Sequence, residues 1–281
     1  MGGRKWFRLC VDCALASCAV LAGSYYLTSY GRSVARSTAQ AAAEEPIRDM
    51  PKAELGNLMC DTLNWDAHAL ANEMRRIACH QTALFILEKM PKVPVFADRF
   101  ALFDFSLKAA DPKLHGHYCE FGVATGVSIN YIAAKVRGTV HGFDSFAGNP
   151  ENWITGIEKG AFSTGGELPK VRENVKLYKG WFNKSLPVWA KENPGPMAFM
   201  HLDADLYSST KDVFDILADR IVPGTVIQFD EYFNYPTWQE GEYKAFTEFV
   251  KAHHVGFEYL GYSDQQLAVR ILSVASPRGG K

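Results

Sequence analysis

The chain has 281 residues, 47% of them hydrophobic and 22% charged, which suits a globular protein with a sizeable core and excludes a disordered one. Lys and Arg number 30 against 31 Asp and Glu, a net charge of -1, so there is no broad field for a polyanion and nucleic acid is excluded as the expected partner. The six cysteines, at positions 10, 13, 18, 60, 79 and 119, are scattered, so no disulfide framework is expected; Cys10-x-x-Cys13 has no second pair beside it and is given no metal or redox role.

Residues 1–45 stand apart from the rest of the chain. Arg4, Lys5 and Arg8 precede an uncharged stretch from Cys13 to Gly31 that is about long enough to cross a bilayer as a helix. A signal anchor, a cleaved secretory signal and an organellar presequence, the last supported by Arg32, Ser33, Arg36 and Ser37, all remain open, and Leu15-Ala16-Ser17-Cys18 resembles a bacterial lipobox. The expectation is membrane association through residues 13–31, or targeting by them, and otherwise a cytoplasmic chain. Ala41-Ala42-Ala43-Glu44-Glu45-Pro46 reads as a linker.

Residues 46–115 carry a helical pattern. Leu70, Met74 and Ile77, then Leu84, Phe85 and Leu87, recur at helix spacing, and Pro91 and Pro94 break it. Phe96, Phe100, Phe103 and Phe105 come next, and two readings stand: helices packed on a sheet, or a lid over a pocket.

The alternating part occupies residues 116–277. Strands are expected at Tyr118–Ala124, Val140–Phe146, Val175–Tyr178, Met197–Leu202, Thr225–Phe229, Phe257–Gly261 and Gln266–Leu272. Helices are expected between them at Gly126–Val136, Leu186–Lys191, Ser208–Ile221, with Ser208 or Ser209 as N-cap, and Gly241–His253. Asn149 to Asn174 is a long connection bearing Gly and Pro. Strands alternating with helices give an α/β fold, a doubly wound and mostly parallel seven-stranded sheet ending in an antiparallel hairpin, with an N-terminal helical extension.

Two strand ends stand out chemically. His201-Leu202-Asp203-Ala204-Asp205 and Phe229-Asp230-Glu231-Tyr232 each carry an apolar run into carboxylates, and in an open α/β sheet ligands gather at the carboxyl ends of strands. Carboxylates crowded into one crevice need a cation, a shared proton or a basic partner, and an oxygen-only donor set suits a hard ion such as Mg²⁺. Helix caps or surface acids are the plainer alternative. Tyr232, Phe233, Tyr235 and Trp238 lie just beyond, either to stack on a substrate or to pack.

The first strand leads into Glu120-Phe121-Gly122-Val123-Ala124-Thr125-Gly126, which fails the G-x-G-x-x-G pattern of dinucleotide sites. Its acid would repel phosphate but suits a ligand with positive charge. Asp144, ending the second strand, can accept the two hydroxyls of a ribose.

E-x-G-x-x-x-G with an acid at the end of the next strand resembles the class I S-adenosylmethionine-dependent methyltransferases. A narrower resemblance, to the macrocin O-methyltransferase (TylF-like) family, rests on residues 118–123, Gly142-Phe143-Asp144-Ser145-Phe146, Lys179-Gly180-Trp181-Phe182, residues 202–210 and Phe229-Asp230-Glu231-Tyr232. It implies a Rossmann-like methyltransferase domain, with Glu120, Gly122, Thr125, Gly126 and Ser128 around the methionine part of the cofactor, Asp144 and Ser145 at the ribose, and Gly180 and Trp181 near the adenine. It further implies Mg²⁺ on Asp203, Asp230 and Glu231, with Asp205 as general base. The family commonly has Asp-Asp where this chain has Asp230-Glu231, so Glu231 is the least secure ligand. His201 is an alternative base.

The expected activity is therefore Mg²⁺-dependent O-methylation of a small hydroxylated acceptor, a sugar or glycosylated metabolite. A scaffold that binds the cofactor without turnover and a Mg²⁺-dependent hydrolase are the alternatives. Whether the chain forms a homo-oligomer is left open by the sequence.

Overall fold

The computed structural model describes residues 67–275. The apolar stretch 13–31, Cys10 and Cys13, and the linker at 41–46 lie outside the described residues. No helix among the described residues is long and apolar enough to cross a membrane.

Helix α1 (Ala67–Lys89) stops just before Pro91, which has no N–H to continue it. Helix α2 (Arg99–Ala109) starts at Asp98, whose carboxylate caps the N–H groups of Phe100 and Ala101. Beyond it come β1 (His117–Phe121), α3 (Val127–Lys135), β2 (Val140–Asp144), β3 (Val175–Lys179), α4 (Phe182–Glu192), β4 (Met197–Leu202), α5 (Tyr207–Leu217), β5 (Val226–Phe229), α6 (Glu242–Ala252), β6 (Gly256–Tyr262) and β7 (Leu267–Ser273).

The seven strands form one sheet in the order β3-β2-β1-β4-β5-β7-β6. Strands β1 to β5 pair in parallel, and β7 runs antiparallel to both β5 and β6, which is the expected terminal hairpin. The order reverses between β1 and β4, the place where an open sheet splays its loops apart and leaves a crevice. Every residue of β4 and of β5 is buried, as befits central parallel strands covered on both faces.

Alternation sorts the strand side chains to two layers. Met200 and Leu202 of β4 with Ile227 and Phe229 of β5 pack against Leu186 and Trp189 of α4, Val213, Phe214 and Leu217 of α5 and Phe246 and Phe249 of α6. Phe199 and Val226 face the other way, toward Leu102 and Phe103 of α2 and Ile129 and Ile132 of α3. Each such buried aromatic or aliphatic side chain contributes about 1.5–3 kcal/mol. Helix α2 thus lies on the sheet, with only its first residue, Arg99, reaching the ligand-binding edge.

One expectation needs correction. Helix α5 begins at Tyr207 with Leu206 in the capping position and no side-chain cap; Ser208 lies two residues past the cap, and its hydroxyl donates to Glu151 at 2.5 Å. Of the two readings of the aromatic run after β5, packing is the one found: Tyr232, Phe233 and Trp238 are buried around Phe85 of α1, and Tyr235 is buried against Trp153.

Candidate active site

At the switch point the ladder runs one residue beyond the strands. Asp203 N–H donates to Phe121 O at 2.9 Å and Asp230 N–H to Leu202 O at 2.8 Å, so the first acid after β4 and the first after β5 stand side by side. Gly122, at φ +94°, passes so close to the β4 tip that a Cβ on it would lie 1.7 Å from the carbonyl oxygen of Asp203. Only glycine permits that approach, and it brings the β1 turn and the β4 acid together.

A cavity of about 1000 Å³ opens over these tips. One wall is the β1 and β2 turn, with Gly122, Thr125, Ser128, Asp144 and Ser145; Gly180 and Trp181, the latter 42% exposed, close that side. The other wall holds Asp203, Asp205, Asp230 and Glu231. Asp144 Oδ2 accepts the N–H groups of Val123 and Ala124, both at 2.8 Å, and Oδ1 accepts that of Phe146 at 2.6 Å. A carboxylate has about four lone-pair sites, so Asp144 both shapes the turn and keeps capacity for a ligand hydroxyl.

Three of the expected site residues do not line the cavity. Gly126 is the capping residue of α3 at φ +80°, where it lets the chain turn into the helix. Glu120 and His201 are fully buried between β1, β4 and α2. They occupy paired positions on neighbouring strands, and His201 Nδ1 donates to Glu120 Oε1 at 2.8 Å. The reason is the strand period: position 120 lies inside β1 and its side chain points across to β4, whereas the crevice is faced by residues at or just past the strand ends. His201 packs edge-on against Phe103 and turns Nε2 toward Asp230 Oδ1 at 3.6 Å, an ion-pair distance rather than a hydrogen bond.

The electrostatics separate the four acids. Burial pushes Asp203 well above the ordinary carboxylate range, the Asp230 charge adds to it, and His201 opposes. Glu231 is raised by burial and then by Asp203 and Asp230. Asp205 rises to about 6 through burial, opposed by the amide of Asn149, which donates to its Oδ2 at 3.0 Å. Burial works against ionised Asp230 too, but His201 and Arg99 outweigh it and hold the group below its usual value. Arg99 Nη1 donates to Asp230 Oδ2 at 3.1 Å. His201, which burial alone would lower, is kept up at about 10 by Asp230 and Glu120. Asp205 also has φ +57°, a conformation that costs a non-glycine residue on the order of 1–3 kcal/mol and tends to persist where function requires it.

The donor set fits a hard divalent cation. Asp203, Asp205 and Glu231 offer oxygens within 4.8 Å of one another, and His201, Asp203 and Asp230 form a second such group. Glu231 Oε2 and Asp230 Oδ1 are buried without a hydrogen-bond partner, a costly state that a cation would relieve. Asp230 already faces two protein cations, so Glu231 presents the freer carboxylate of the adjacent pair.

Three side chains that matter here were not singled out from the sequence: Arg99, Asn149 and Glu242. Arg99 follows a readable helix cap, but its partner lies 131 residues away. Asn149 opens the long insertion. Glu242, the first residue of α6, is fully buried behind the acid tips and raised to about 8, by burial first and then by Asp205 and Asp230 against hydrogen bonds from two backbone amides.

Residues 166–259 match the family model described as macrocin-O-methyltransferase (TylF), which bears out the resemblance read from the sequence. The matched span holds Trp181, all four cavity acids and Glu242, and begins after the Glu120 to Asp144 region. A 60-residue segment is 37% identical to the 8-demethyl-8-(2,3-dimethoxy-alpha-L-rhamnosyl)-tetracenomycin-C 4'-O-methyltransferase of Streptomyces olivaceus, covering 21% of this chain and 22% of that protein, about a fifth of its length. The crystal structure of CalS11, calicheamicin methyltransferase, superposes with a TM-score of 0.52 at 19% identity over 85% of this chain and 99% of the other, and so shares the fold. An apo structure of CalS11, described as a TDP-rhamnose 3'-O-methyltransferase, gives a TM-score of 0.46 at 21% identity, covering 80% and 99%.

Proposed function

We propose, for a chain whose residues 166–259 match the macrocin O-methyltransferase model, that it transfers the methyl group of S-adenosylmethionine to a hydroxyl of a sugar carried by a small molecule, with a divalent cation such as Mg²⁺ at the acid tips. The observation that carries this reading is one cavity with the glycine turn and Asp144 on one wall and four strand-tip acids on the other. The sugar acceptor is supported by the Streptomyces olivaceus relative, a methyltransferase named for a rhamnosyl-bearing compound.

In this reading the glycine turn, through Gly122, Thr125 and Ser128, seats the methionine part of the cofactor, Asp144 accepts a ribose hydroxyl, and Trp181 covers the adenine. Asp203 and Glu231, whose oxygens lie in one cluster, would hold the cation, with Asp230 beside Asp203 as a further ligand; when bound it would lower the pKa of an acceptor hydroxyl and fix its direction. Asp205, mostly ionised at neutral pH and oriented by Asn149, takes the hydroxyl proton. The oxygen lone pair forms the new bond to the methyl carbon as the carbon–sulfur bond breaks and S-adenosylhomocysteine departs. Proximity and alignment within the cavity supply the remaining acceleration.

The test is incubation of the full chain with methyl-labelled cofactor and a panel of rhamnosylated and other hydroxylated compounds, with Mg²⁺ or with excess chelator. Label transferred to a sugar hydroxyl only with the metal is the expected result. No transfer to any acceptor, with no cofactor binding by calorimetry, would sink the reading.

A further inference from the structure

Strand β4 ends at Leu202 and β5 at Phe229, so Ala204 and Glu231 are held by turns rather than by the sheet ladder. One side chain, borne by neither strand, joins those turns. Glu242 Oε1 accepts the backbone N–H of Ala204 at 3.3 Å and faces the Thr210 hydroxyl at 3.5 Å, while Oε2 accepts the backbone N–H of Glu231 at 3.3 Å. The residue after Asp203 and the backbone of Glu231 therefore hang on the two oxygens of a single carboxylate.

Position and surroundings point to a task beyond filling space. Glu242 opens an 11-residue helix, where the helix dipole favours an anion. The Gly241 before it clears the way: a Cβ there would lie 2.1 Å from the Tyr235 hydroxyl oxygen. Yet burying one more carboxylate behind Asp203, Asp205, Asp230 and Glu231 is unfavourable, and a leucine would fill the same volume without the charge. What a leucine lacks is two acceptors spaced to fit two turns.

We propose that Glu242 is a positioning residue: by tethering both turns to the start of α6 it sets the separation of the Asp203 and Glu231 carboxylates, and with it the seat for the cation. It lines no part of the cavity and touches neither cofactor nor acceptor. The inference rests on the proposed methyl-transfer site, and it concerns the cation half of that site alone.

The experiment compares the full-length wild type with E242Q and E242L, reading Mn²⁺ affinity by electron paramagnetic resonance, S-adenosylmethionine affinity by calorimetry, and thermal stability. Glutamine keeps the size but offers one acceptor oxygen and turns an NH₂ group toward the other N–H, so one turn is released. Leucine keeps the bulk but removes both acceptors, releasing both turns. In both, Mn²⁺ affinity is expected to fall by about tenfold or more, the range seen when outer-shell partners of metal ligands are lost. Cofactor affinity should stay within about twofold in both, and thermal stability separates a local loss from a general one. Wild-type Mn²⁺ affinity in both variants overturns the proposal, as does a wild type that binds no Mn²⁺ or a parallel loss of Mn²⁺ and cofactor that follows stability. Failure of the methyl-transfer reading looks different, since the wild type itself would then bind no S-adenosylmethionine.

Discussion

The two walls of the cavity are built in opposite ways. The cofactor wall is made mainly of backbone: N–H groups of a glycine turn gather on Asp144, whose oxygens are nearly satisfied before any ligand arrives. The acid wall is made of side chains, buried together, with Asp203 and Glu231 forced toward protonation and Asp230 ionised only because His201 and Arg99 face it. A site shaped by backbone is stable when empty, whereas a site made of like charges is stable only with a counter-charge. The difference teaches that the walls should fail separately.

The sharpest way to break that contrast is Asp203→Asn. Its kcat is expected to fall by about 1000-fold, since the charge that acts on the acceptor is lost, while calorimetry should find cofactor affinity within about twofold of wild type. Equal losses in both would mean the walls are not separable.

Next in size is Gly122→Ala, placed where the walls touch. With φ +94° and Asp203 O only 1.7 Å from the new Cβ, stability measured by urea unfolding should drop by about 3 kcal/mol. Affinity for cofactor and for Mn²⁺ should fall together. A change confined to one wall would contradict the contact.

The smallest effect calibrates the electrostatics away from the cavity. His141 on β2 is buried, and its Nδ1 receives the Trp189 indole N–H at 3.2 Å and faces the Tyr178 hydroxyl at 3.1 Å. Burial, then the charges of His117 and Lys176, depress it from 6.5 to about 4. A histidine lowered on folding leaves stability intact above 6.5 and removes it as pH falls toward 4, by about 2 kcal/mol at about pH 5. His141→Gln should flatten that slope in urea unfolding; an unchanged slope would assign acid sensitivity to the acid wall instead.

Much of this was legible in the sequence because it depends on strand ends. A run of apolar residues stopping at Asp203, Asp230 or Asp144 tells both where the strand ends and which edge of the sheet its acid faces. What failed was direction within an element. Glu120 sits beside the glycine turn in sequence, but strand alternation aims it at His201 and away from the crevice. The aromatic residues after β5 looked available to a substrate until Phe85 of α1 filled the space between them. Arg99, Asn149 and Glu242 were unreadable for a shared reason: each acts on an acid turn through a contact that only the tertiary fold creates.

The start of the long insertion is fastened twice to the β4 side, by Asn149 to Asp205 and by Glu151 to Ser208, before Trp153 reaches Tyr235 edge-on. Farther along, Ala161 and Gly160 bond back to Asn149, and Gly166 to Phe146, so the loop closes on its own root. A graft into this loop would therefore have to keep Asn149, Glu151 and the Gly160–Gly166 return, because replacing either end would release the Asp205 carboxylate from its amide partner.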